Sequence, residues 1–263
     1  MIDEQNAAVD SSYYSDAVYI AMEMGESIIA CGGEISRAED TVTRICKAYG
    51  ATAVDVGIIM SVAVLNVDFN GVSINSSRRV HNVGTNNLGK LAKLNALSRK
   101  ICASCPSKEE FKQEIARVNA QSTVKLWQML LGAFLTGAGF TVFFGGNLTD
   151  ACLSAVISLP MTLLSIYLSK LNINPIVAKF FVCLLGGMCA ASLPKIGVNC
   201  HADLIMIGDI MAVVPGVLLT NSFRDLFSGD VMSGFFRLCT AVLDAVAIAC
   251  GYAVAMLIFG GAV

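Results

Sequence analysis

The chain changes character near residue 125. Before that point, apolar and polar positions recur at the spacings of amphipathic helices and half-buried strands; beyond it, apolar residues run on for about twenty positions at a time. Five such runs, at 126–146, 151–169, 176–193, 202–220 and 238–259, come near the length that crosses a hydrocarbon core of about 30 Å. Short polar or proline-bearing joints separate them, at 147–150, 170–175, 194–201 and 221–237. A large soluble α/β core would show shorter apolar runs interleaved with charged helix faces, which this half lacks. The pattern predicts a membrane protein with an N-terminal cytosolic α+β domain over 1–122. An all-α bundle of about five transmembrane helices follows over 123–263.

Within the first half, residues 14–29 read as an amphipathic helix closed by Cys31-Gly32-Gly33. Ser36 is a candidate cap for the next helix, with Glu39 three residues on completing a capping box. That helix is expected to stop at Tyr49-Gly50. A Val- and Ile-rich stretch over 54–69, the turn Asn70-Gly71 and a returning strand over 72–80 form a predicted hairpin. Residues 88–102 and 108–118 are helical again. Glu34, Arg37, Glu39, Asp40 and Arg44 make a polar cluster on the second helix and its lead-in. The spacing of Asp40 and Arg44 suits an i,i+4 ion pair, and the plain reading is a capped, salt-bridged helix start. His81, after Arg78-Arg79, reads as a surface histidine.

This half contains no GxxxxGK[ST] loop, no GxGxxG after a strand and no HExxH. An ATP-driven pump is disfavoured, and the lack of a nucleophile–base arrangement disfavours an enzyme. No metal or cofactor site is predicted. The acidic, polar start MIDEQNAAVDSS has no apolar core and cleavage site after it, so the soluble half is expected to stay in the cytosol.

Charge supports the division. Residues 1–125 hold 13 Lys/Arg and 14 Asp/Glu, whereas 126–263 hold only 5 and 6, in a chain that is 55% hydrophobic with mean hydropathy +0.67. A net charge of -2 leaves no basic stripe to neutralise phosphates, which argues against a nucleic-acid partner. The joints alternate in Lys and Arg: none in the first, Lys170 and Lys179 about the second, Lys195 in the third, Arg224 and Arg237 in the fourth. By the positive-inside rule the N-terminus is in and the C-terminus out, at the cell membrane. Five of the ten cysteines (Cys152, Cys183, Cys189, Cys239 and Cys250) sit in apolar runs and act as small hydrophobes. Cys102 and Cys105 form a CxxC without a second pair, too little for zinc.

Acids inside the apolar half are the candidate chemistry, because a charge at bilayer depth is costly. Asp209 lies within IMIGDIMAVVPG and Asp244 within the last run, while Asp203 and Asp230 lie near run ends. Asp209 and Asp244 are either pathway groups, helix–helix hydrogen bonds or contacts with a missing subunit. Pro215-Gly216 can interrupt the fourth helix and free backbone groups. The glycines of the apolar half, such as Gly132, Gly137, Gly139, Gly186 and Gly187, read as close-packing positions.

Three segments carry a resemblance to a known family. They are GGEISRAEDTVTRICKAYG, RRVHNVGTNNLGKLAKLNALSRK and VPGVLLTNSFRDLFSGDVMSGFFR, in that order along the chain. Together they resemble the bacterial threonine/serine exporter family. The resemblance implies a cytosolic α+β domain, a five-helix membrane unit and no cofactor. It also implies secondary export of a small polar metabolite, threonine, serine or a similar amino acid, driven by a proton or ion gradient. Because some members are split, it implies a second, smaller multi-span subunit and an oligomer. A succinate-like dicarboxylate is the neighbouring substrate class.

From the residues of this chain, the pathway is expected to use Asp209 as a proton or substrate group, with Pro215 and Gly216 at the helix break. Asn221, Arg224, Asp225 and Asp230 are expected to line the inner mouth, with Asp244 in the last span. Arg224 either steers a carboxylate or, with Asp225, anchors the helix at the interface. Two departures stand out: Val83-Gly84-Thr85 replaces a more basic segment, and the family pattern does not require Asp209. The rival classes are a membrane-tethered hydrolase and a non-transporting scaffold subunit.

Overall fold

A computed structural model describes residues 2–59, 62–80, 87–120 and 124–259, with side chains from residue 12 onward. His81 and the segment Val83-Gly84-Thr85 lie outside the described residues. The chain divides into two compact units, one of residues 1–122 with 217–238, the other of 123–216 with 239–263.

The first unit opens with α1 (Ile2–Ala30) and α2 (Ile35–Ala48). Three antiparallel strands follow, β1 (Ala53–Ile59), β2 (Val62–Phe69) and β3 (Val72–Arg79), in the order β1-β2-β3. The predicted hairpin is present: Asn70 and Gly71 both take positive φ, 47° and 93°, and pair Phe69 with Val72 across the turn. On β2 the alternation is clean, with Ala63, Leu65, Val67 and Phe69 facing the core and Val62, Val64 and Asn66 facing out. The inward face meets Ile20, Met24 and Ile28 of α1 and Val42 and Ile45 of α2 in one apolar core. Two more helices, α3 (Leu88–Ser104) and α4 (Lys108–Ala120), add Leu94, Ile101 and Phe111 to it.

Helix ends follow local chemistry in most places. Gly50, at φ 93°, ends α2 while Ala51 and Gly50 return N–H bonds to Cys46 and Lys47. Asn87 caps α3 by accepting from Lys90 N–H at 2.9 Å. Cys105 closes α3 in a left-handed conformation, and its thiol donates to the Ala48 carbonyl, so this half of the CxxC has a packing role. The start of α2 departs from the sequence reading. It begins at Ile35 with Glu34 as N-cap, and Ser36 lies inside the helix. Glu39, expected to complete a box with Ser36, instead accepts from the Ile58 N–H of β1 at 2.8 Å.

The second unit is helical. α5 (Leu126–Phe143), α6 (Leu148–Lys170), α7 (Pro175–Ser192) and α10 (Val231–Phe259) are the apolar helices. Among the described residues they, with α7 extended through a short 3-10 turn to Ile196, are the four long and apolar enough to cross a membrane. This corrects the expectation of five comparable spans. The run at 202–220 is two short helices, α8 (Ala202–Ile210) and α9 (Gly216–Phe227), broken where Pro215 cannot donate a backbone hydrogen bond. The helix is interrupted from Met211 to Pro215, so the break includes the predicted Pro215, while Gly216 already opens α9. α10 begins in the first unit and continues into the second.

Glycine sets how closely these helices approach. A Cβ on Gly208 of α8 would fall 2.0 Å from Thr141 Oγ1 and 3.0 Å from the Gly137 carbonyl of α5. A Cβ on Gly251 would meet the Phe180 carbonyl of α7 at 2.5 Å. Gly132 and Gly139, read as packing positions from sequence, have open space instead. Gly208→Ala is expected to lower stability by about 3 kcal/mol, the upper end of overpacking penalties, since backbone as well as side chain blocks the methyl. Thermal inactivation of the purified protein measures this, with Gly139→Ala as the neutral control.

Candidate functional site

Asp209 ends the buried stretch of α8 and is 1% exposed. Ser154 of α6 donates its hydroxyl to Asp209 Oδ1 at 2.6 Å, while Oδ2 has no hydrogen-bond partner. Thr141 of α5 is fully buried and its hydroxyl oxygen is also unpaired. Gly137 lets these groups gather: a Cβ there would stand 2.9 Å from Ser154 Oγ and 3.2 Å from Asp209 Oδ1. Buried polar atoms are nearly always paired, because each unpaired one forfeits its hydration. An acid with one oxygen satisfied and one not, walled by helix backbones at a chain break, can gain and lose a proton or receive a cationic group.

The other acid of the last span is different. Asp244 in α10 accepts from Lys179 of α7, forming an ion pair in which the Asp side chain is 6% exposed and the lysine 25%. Asp244 is thereby a contact between helices. In sequence Lys179 only flanks a joint, and nothing in its local spacing marks it as the partner of a residue 65 positions away.

A third polar contact lies at the start of α8. Asp150, in the first turn of α6 and fully buried, accepts from the His201 backbone N–H and from His201 Nδ1, each at 2.9 Å. Its Oδ2 also accepts from Asn147 N–H at 3.0 Å, closing a capping box. Neither Asp150 nor His201 was singled out in the sequence.

The remaining predicted residues gather in the first unit. The turn at 32–34 is held by side chains from α9 and the start of α10. Asn221 donates to the Gly32 carbonyl at 3.1 Å, and Arg237 donates to the Gly33 carbonyl at 3.0 Å. Arg224 pairs with Glu34. Arg237 also pairs with Asp225 at 3.1 Å, both side chains being 10% exposed or less. Asp225 is pushed above its ordinary carboxylate value by burial, with Arg237 and a hydrogen bond from the Ile35 backbone opposing. Glu39 is raised too, by burial first and then by the charges of Asp230 and Asp225, against the Ile58 hydrogen bond. Gly234 permits the tight return from α9 to α10, since a Cβ there would strike Leu226 N and Ser222 O at 2.8 Å.

Thus the structure joins Glu34 to Arg224, Gly32 to Asn221 and the start of α2 to Asp225, while Glu39 feels the charges of Asp225 and Asp230 without bonding to them. Asp40 and Arg44 form the expected i,i+4 pair at 2.6 Å, on the surface, and Arg37 is exposed. Pro215 and Gly216 stand at the junction of α8 and α9.

A small sheet and its helices in one unit, with long apolar helices that enclose acids in the chain, define a multi-span membrane protein. The family described as "Putative threonine/serine exporter" (ThrE) matches residues 19–259, and the chain belongs to that family, which is one of transporters. No curated protein and no solved structure matches the chain.

Proposed function

We propose that this chain is a subunit of a secondary exporter that moves threonine, serine or a similar small amino acid out across the cytoplasmic membrane. The observation that carries the reading is Asp209, a buried carboxylate with one oxygen unsatisfied beside a helix break in a member of a transporter family. In this reading Asp209 exchanges the coupling proton, next to the interruption that separates α8 from α9. The first unit is cytoplasmic, in keeping with the alternation of Lys and Arg between joints.

The motif contacts at the 32–34 turn tie α9 and the start of α10 to the soluble helices, so Arg224 and Asp225 act as an anchor. A smaller multi-span subunit completes the transporter. α5 is the surface offered to it, since 11% of its apolar window is buried against 33–39% in the other spans.

The test is uptake or release of labelled threonine, serine and succinate in proteoliposomes under an imposed proton gradient, with and without co-purifying membrane protein. Gradient-dependent movement of the amino acids only when the second protein is present supports the proposal. Full transport by this chain alone removes the partner, and succinate transport without amino-acid transport removes the substrate class.

A further inference from the structure

We propose that His201 is a positioning residue for Asp209: paired to Asp150, it pins the start of α8 to α6 and gives transport a pH-sensitive limb. The inference rests on the reading of Asp209 as the pathway carboxylate, and it concerns a residue pair to which that reading assigns no part.

α8 has nine residues and is tied to α6 by polar contacts near both ends. At the far end Ser154 holds Asp209. At the near end the backbone and ring of His201 hold Asp150. Asp150 and Ser154 are four residues apart, hence on one face of α6, so a single helix face carries both ties. Nine residues are too few to form a stable helix alone, so the position of α8 depends on such contacts.

The two ties differ in access. Ser154 and Asp209 are buried, whereas the His201 side chain is 60% exposed and open to protons from solution. The charged and titratable groups that face it are Asp150 from α6 and Asp203 from α8, with Cys200 beside Asp150 in the preceding loop. The Asp150 carboxylate, by hydrogen bond and charge, raises the His201 pKa above its ordinary 6.5. A raised histidine value means the ring tie is at full strength below 6.5 and is lost as pH rises through the raised value. Above that value only the backbone N–H and a neutral ring remain on Asp150, and α8 is held less firmly.

The experiment is gradient-driven export in proteoliposomes holding the complete transporter, with pH stepped on both faces at a fixed gradient. The parent is expected to lose about fivefold in rate as pH rises through the His201 value, at the low end of site-to-site coupling. His201→Gln, which can donate to Asp150 but cannot titrate, is expected to lack that limb. A second measurement needs no transport. The histidine NMR signal absent from His201→Gln should titrate above 6.5 in the parent and move back down in Asp150→Asn. An unchanged limb in His201→Gln, or a parent signal titrating at 6.5 or below, overturns the proposal. An unchanged limb with an inactive Asp209→Asn overturns the His201 role alone. Normal export by Asp209→Asn overturns the reading beneath it and the positioning role together.

Discussion

Replacing Asp209 with asparagine is expected to cut gradient-driven export by about a hundredfold or more, the scale of losing an essential proton-transfer group. The substitution is close to a pure removal of ionisation. The Asn side-chain oxygen still accepts from Ser154, volume is unchanged, and the Gly137 and Gly208 contacts that wall the site are untouched. Folding and assembly should survive, seen as unchanged yield and elution of the purified complex. A carboxylate kept only for packing predicts the reverse order of damage. Asparagine would then export normally, and leucine would be the harmful change because it strands the buried Ser154 hydroxyl at a cost of about 1–3 kcal/mol. Export rates of the Asn and Leu variants, scaled to protein level, separate the two. The unpartnered Oδ2 favours the first outcome, since a purely structural acid would have both oxygens occupied.

Removing Arg237 should be the most damaging change in the first unit. Its guanidinium is the main charge opposite a buried Asp225 and also holds the Gly33 carbonyl. Arg237→Leu therefore strands a buried carboxylate, at a cost of about 3–5 kcal/mol. Asp225→Asn should cost much less, because burial already disfavours the charged form. The pH dependence has a definite sign. The folded value of Asp225 is raised above 3.8, so the folded state binds its proton more readily than the unfolded chain does. Stability from this group rises as pH falls through the raised value, and the gain is complete below 3.8. The Arg237→Leu deficit should accordingly be largest at neutral pH and shrink in acid. Hydrogen exchange of the first-turn amides of α2 reads this directly. Equal deficits at pH 7 and pH 4 would show that Arg237 matters through Gly33 and not through Asp225.

Much of the fold could be read because its causes are local. Apolar run length gave the long helices, Asn70-Gly71 gave the hairpin, Gly50 gave the end of α2, and Asp40–Arg44 paired at the expected spacing. The start of α2 could not be read in the same way. Its first turn meets Asp225, nearly two hundred residues away, so no capping rule applied to neighbouring residues could find the partner. The same distance separates Glu34 from Arg224, though each lay inside a recognisable motif. Lys179 and Ser154 were missed for another reason. A lysine near a helix end and a serine in an apolar run are commonplace, and only the neighbouring helix gives them meaning. The run at 202–220 misled by composition: it is apolar enough to span, yet the residues between Ile210 and Gly216 do not continue the helix.

The length of α8 bears on how the chain is made. Nine residues rise only about 14 Å, less than half of the hydrocarbon core, so α8 cannot be inserted as an independent span. It must be carried in by segments that flank it and settle against surfaces already present. Those surfaces, on α5, α6 and α7, all precede it in the chain and leave the ribosome first. Asp209 can therefore pass from water to its seat beside Ser154 with the receiving hydroxyl in place. Order of synthesis spares the carboxylate a period alone in lipid.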